Sequence, residues 1–281
     1  MVGRHCGCLL LIYLVSLALV VEADEQPTDQ VCELLFEGYI ARQVKINTDT
    51  IRAAEHIVAE RGRGTGFWKI VLAKLKANDP ANEIGCVRVL GKMLATDASE
   101  REAIRRQKET GEISAHIPHV YLGPEVVAEL IERGKKADRF RIDHYTVALA
   151  RARAPEARDF FTSILNEMKP DPVEEGVKST VRGPYHMDTT RFHAAVGLAH
   201  LGDPLGVEWL IENCEFGQGT VSNAKPLYVP LFAGTDLNAC CLAALQELYD
   251  KRDLTSKSAW EAWWKTADKE RLANHVVHLT D

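Results

Sequence analysis

The sequence predicts an all-α chain whose helices come in antiparallel pairs stacked as an α-solenoid. Three observations predict this. Aromatic residues make up only 7% of a chain that is 46% hydrophobic, and Ala and Leu are abundant, which favours helix over strand. Four helical segments can be laid on one another column by column: GCVRVLGKML (85–94), HYTVALARAR (144–153), HAAVGLAHLG (193–202) and CCLAALQELY (240–249). A second helical signal precedes each of the four.

The shared columns are apolar. One holds Leu90, Leu149, Leu198 and Leu245. Three residues on stand Met93, Ala152, Leu201 and Leu248, and four residues back stand Cys86, Tyr145, Ala194 and Cys241. Offsets of −4, 0 and +3 describe one face of an α-helix. The leucines are 59, 49 and 47 residues apart, so uneven connections hide the repetition from a fixed-period search. Paired helices at spacings near 40–50 residues are the sequence mark of an α-solenoid.

The elements follow in order. Arg4 precedes an apolar run from Cys6 to Val21, and Val21-Glu22-Ala23 offers small residues for cleavage. Residues 1–23 therefore read as a secretory signal peptide, with an uncleaved anchor as the alternative. The run is short for a membrane helix, which needs about 20 residues. Residues 24–66 form a polar leader and two helices, at 31–39 and 50–61, closed by the glycine-rich break Arg61-Gly-Arg-Gly-Thr-Gly66.

The paired helices occupy 67–281. The first partner helices are 67–77, 124–134, 155–168 and 204–214, and the last three begin with Pro124, Pro155 and Pro204, a residue favoured in a first turn. Pro155 and Pro204 each lie six residues beyond the shared Leu, and Phe160 and Trp209 five residues beyond the prolines. The segment Ser258–Glu270 is Trp-rich and reads as a terminal cap. Trp260, Trp263 and Trp264 fall on one helix face, which a sugar-stacking platform would also require.

RFHAAVGLAHLGDPLGVEWLIE (191–212) resembles a HEAT repeat of the bacterial, phycobilin-lyase-like type. Arg191, the alanines, Leu198, the Leu-Gly-Asp-Pro turn at 201–204 and the apolar helix that follows carry the resemblance. The segment 258–270 is similar to the Trp-rich end of exported bacterial HEAT proteins. The resemblance covers about 67–270 and implies a HEAT/armadillo-like architecture; because related proteins attach bilins, it also implies a bilin-lyase-like enzyme or chaperone as one reading.

The composition and motifs weigh against most chemistry. The net charge is −6, from 34 basic and 40 acidic residues, with no Lys/Arg run that would mark a nucleic-acid footprint. No Gly-x-Ser-x-Gly, phosphate-binding loop, dinucleotide fingerprint or His-Glu-x-x-His is present, so no catalytic residue and no cofactor is assigned. His193 and His200 are seven apart, about 10.5 Å along a helix, too far to share a zinc ion. His116 with His119, and His275 with His278, supply two ligands each, and two ligands are not a site. No metal is assigned.

Five cysteines follow Ala23, an odd number, with no Cys-x-x-Cys pair; a Cys32–Cys214 bond is conceivable from the sequence but unsupported by it.

Two long connections remain, 169–188 and 215–234, at the same place in consecutive repeats and well above the usual two to eight residues. Each carries an aromatic and a cation: Tyr185 with Arg182, and Tyr228 with Lys225. With His186 and His193 these form the candidate binding surface, since long loops on a rigid scaffold are common binding devices. The expectation is a non-enzymatic, exported scaffold for a protein or peptide partner. A cell-envelope carbohydrate or polymer-binding module is the alternative.

Overall fold

The computed structural model describes residues 67–77, 79–80, 82–95, 122–139, 141–168, 187–214 and 237–269. Of the described residues 79% are helical and none is in a strand, so the chain is all-α over this part. No helix among the described residues is long and apolar enough to cross a membrane. The described residues fall into two compact units. One holds those up to residue 95 together with Leu122, and the other those from Gly123 onward.

In the first unit, α1 spans Trp68–Lys76 and α2 is described at 80 and over 82–95. Trp68, Val71, Leu72 and Leu75 form the buried stripe of α1, at the 3–4 spacing of an amphipathic helix. Lys74 and Lys76 lie in its last turn, where cations complement the helix dipole. Cys86, Leu90 and Met93, the three shared columns of α2, are all 0% exposed.

The second unit begins with α3 (Pro124–Gly134), which coincides with its sequence reading. Val126, Leu130 and Gly134 recur every four residues on its buried edge. Helix α4 spans Ile142–Ala152, and α5 (Arg158–Glu167) follows a 3-10 turn at Pro155–Ala157. Next come α6 (Met187–His200) and α7 (Pro204–Glu212). The last two are α8 (Leu237–Tyr249) and α9 (Lys257–Thr266).

Helix α6 starts six residues before the segment read from the sequence, so the preceding connection ends at residue 186. Thr189 and Thr190 are poor helix formers, but both are buried here, and tertiary packing overrides their weak propensity.

Helix α3 packs on α4, α4 on α6, and α6 on α5 and α7; α7 then packs on α8 and α9, and α8 also touches α6. The repeat columns are the core of this arrangement. Leu149, Leu198 and Leu245 are 0% exposed, as are Ala194 and Cys241, and Tyr145 is nearly so. In the +3 column Ala152 and Leu201 are buried, whereas Leu248, at the end of the last repeat helix, is half-buried.

The repetition extends to the backbone of the turns. Arg153 and Gly202, both four residues beyond the shared Leu, are left-handed, with φ of 48° and 65°. Ala154 and Asp203 follow at φ −81°, ψ 120° and φ −81°, ψ 122°. The Arg153 amide donates to the Ala150 carbonyl and that of Gly202 to Ala199; the Ala157 amide donates to Ala154 and that of Gly206 to Asp203. A left-handed residue stops the first helix, an extended one turns the chain, and proline opens the next. After the turn the two repeats diverge, for Pro155 opens a 3-10 turn and Pro204 opens α7 directly.

Asp203 completes its turn with its side chain. It accepts from the Leu205 amide at 3.0 Å, an N-cap, and pairs with the Arg158 guanidinium of α5. Arg158 also donates to the Leu201 carbonyl at 3.1 Å, which ties α5 to the turn between α6 and α7.

Candidate functional site

Helix α6 is the most enclosed element of the second unit. Residues 192–199 are buried without a break, and at Gly197 among them a side chain has no room: a Cβ there would lie 2.6 Å from the Phe161 ring of α5. On the other side, a Cβ on Gly206 of α7 would meet the Ala195 carbonyl and lie 2.6 Å from Leu198 Cβ. The missing side chains let α5 and α7 close on α6 from two directions.

Within this apolar setting stands a polar group of side chains. The buried polar or charged residues among those described are Asp143, Thr146, Thr189, Thr190 and His193, and all five lie in α4 and α6. Each set sits in the N-terminal half of its helix. Thr146 is satisfied locally, its hydroxyl donating to the Ile142 carbonyl at 2.8 Å.

Asp143 and His193 join the two helices. His193 Nδ1 lies 2.9 Å from Asp143 Oδ1, with side chains 0% and 3% exposed. A carboxylate only accepts, so Nδ1–H donates and the ring is fixed in orientation. Phe192 stacks edge-on to the imidazole, with ring centroids 5.2 Å apart. The second ring nitrogen, Nε2, is buried without a hydrogen-bond partner. An unsatisfied buried polar atom costs about 1–3 kcal/mol.

The structure corrects one expectation here. His193 is not part of an open binding surface, because α6 is packed on α4, α5 and α7 and the imidazole points into that packing. Its repeat equivalent His144 is half-buried, which shows that a shared column does not guarantee shared exposure. Arg182, Tyr185, His186, Lys225 and Tyr228 lie outside the described residues.

The sequence reading passed over Asp143. Its signal was present: six residues before the shared Leu stand Ile84, Asp143, Phe192 and Ala239, a column with one acid among three apolar residues.

The other candidates resolve as packing. His200 is half-buried, and burial together with the nearby Arg153 guanidinium lowers its pKa to about 3. Among the described residues no group of three or more His, Cys, Asp or Glu side chains is placed to hold a metal ion. Cys214 is buried and its thiol donates to the Ile211 carbonyl at 3.1 Å; Cys32 lies outside the described residues.

The tryptophans do not form an open sugar platform. Trp260 and Trp264 are 0% and 7% exposed, and their indole N–H groups donate to the Leu254 carbonyl at 3.0 Å and to Glu208 at 3.2 Å. Trp263 is half-buried, edge-on to Trp260 at 5.3 Å, with Tyr249 at 5.1 Å and the Lys251 ammonium 5.6 Å from its ring. Helix α9 thus covers the end of α7 with aromatic surface.

No family model, curated protein or solved structure matches this chain.

Proposed function

We propose that the chain is an exported α-solenoid scaffold of HEAT-like repeats that binds a protein or peptide partner and carries out no chemistry of its own. The observation that carries this reading is the repetition itself. The same three columns are buried in successive helices, with only Leu248 of the last half-buried, and the same left-handed, extended, proline turn recurs at 153–155 and 202–204. A chain built from one repeated helix pair presents equivalent edges side by side, and such edges suit extended macromolecular partners better than small substrates.

The long connections supply the recognition in this reading. Residues 169–186 link α5 to α6 and 215–236 link α7 to α8, so both join a partner helix to a repeat helix. Arg182, Tyr185 and His186 belong to the first and Lys225 and Tyr228 to the second. Tyrosine and arginine are favoured at protein interfaces, whereas lysine is depleted from them. The apolar run after Arg4, with Ala23 at its end, supports export.

Capture on the immobilised full chain, from the envelope fraction of the native cells, tests the reading by mass spectrometry. The expected result is a retained protein or peptide. Retention of a pigment alone, seen as visible absorbance, or of a glycan alone would overturn it.

A further inference from the structure

We propose that the Asp143–His193 pair is a register lock: it selects which repeat helix lies beside α4 and at what axial offset, a choice the apolar pattern leaves open. The apolar columns stand at −4, 0 and +3 on every repeat helix. A slip of four residues carries the first column onto the second, and a slip of three carries the second onto the third. The apolar face therefore fits itself again after one turn, and α8 offers the same leucine and small-residue columns as α6.

The polar pair breaks this degeneracy. Asp143 is the one acid in its column, and its partner at the adjacent position is His193. Sliding α6 by three or four residues one way sets Asp143 against Val196 or Gly197, which offer no side-chain donor. Sliding the other way offers Thr189 or Thr190, whose hydroxyls can donate to the carboxylate, but it takes Asp143 from His193, whose Nε2 is already without a partner. With α8 in the place of α6, the matching residue is Cys240, a weak donor. Each alternative separates the pair and leaves the carboxylate, the imidazole or both without an adequate partner, which is penalised when they are buried.

The same pair is a poor device for stability alone. It removes two ionisable groups from water and leaves His193 Nε2 unpartnered. Buried polar pairs of this kind are best attested as determinants of register.

Three versions of the full chain test the lock: wild type, Asp143→Leu with His193→Leu, and the exchanged Asp143→His with His193→Asp. Far-UV circular dichroism reads helix content, amide NMR reads the number of conformations, and light scattering reads mass. The expected result is that the leucine double variant stays as helical as wild type but gives multiple or broadened amide resonances, or a dimer made by exchange of equivalent helices. The exchanged variant, if helical, is expected to return to a single set and the wild-type mass. A leucine double variant with one sharp set of resonances and the wild-type mass would overturn the proposal. So would its unfolding, since the pair would then be a stability element instead.

Discussion

At the scale of single residues, the left-handed positions of the two matching turns make opposite predictions. Gly202 suits φ 65° at no steric cost, whereas Arg153 holds φ 48° with a Cβ that clashes there. Arg153→Gly is expected to stabilise the second unit by about 1 kcal/mol, and Gly202→Ala to destabilise it by about 1–2 kcal/mol, in urea unfolding. Loss of stability in Arg153→Gly would mean that the side chain contributes more than its backbone strain costs.

The buried pair gives a second residue-scale prediction. Asp143→Ala leaves His193 with neither ring nitrogen satisfied and is expected to cost about 3 kcal/mol. The third concerns pH. His200 has its folded pKa lowered to about 3 from an ordinary 6.5. Between those values the unfolded chain takes up a proton that the folded chain refuses. The contribution is therefore fully present above about pH 6.5 and declines as pH falls toward 3. His200→Gln should lose less stability than wild type between pH 6.5 and 4, and parallel acid limbs would show that the ring is solvated as a cation in the fold.

At the scale of elements, glycine decides how closely helices approach. Gly206 sits where α7 crosses α6, against the Ala195 carbonyl and Leu198 Cβ. Gly206→Ala must push backbone from backbone and is expected to cost about 2–3 kcal/mol in unfolding free energy, more than the same change gains by helix propensity. A neutral Gly206→Ala would show that the two helices can separate without loss of packing.

Element positions were largely legible in the sequence because they rest on local signals. Pro124 after an extended Gly123 marked α3 to the residue, and Pro204 after Asp203 marked α7. The start of α6 was not legible. Asp188, Thr189 and Thr190 form no local helix signal, and their helix is held by neighbours about 45 residues away in sequence, on α4. The candidate surface was less legible still. His193 was expected on the binding surface and shares a column with the half-buried His144, but burial depends on how many helices enclose the column, and α6 is enclosed on more sides.

At the scale of the whole molecule, the packed repeat core is separate from the long connections to which the proposed function assigns recognition. The leucine column is fully buried in α4, α6 and α8, so truncating one shared leucine should be felt strongly. Leu→Ala at such a site costs about 2–5 kcal/mol. The connections carry Arg182, Tyr185 and His186, and Lys225 and Tyr228, between helices that are anchored without them. Long connections are tolerated at little entropic cost, so shortening one should spare the fold.

The most direct test is to delete residues 170–186 from the full chain and measure partner capture beside far-UV circular dichroism. An unchanged helical spectrum and at least about tenfold weaker capture, a loss of about 1.4 kcal/mol in binding, are expected. An unchanged spectrum with capture equal to wild type would contradict recognition by this connection.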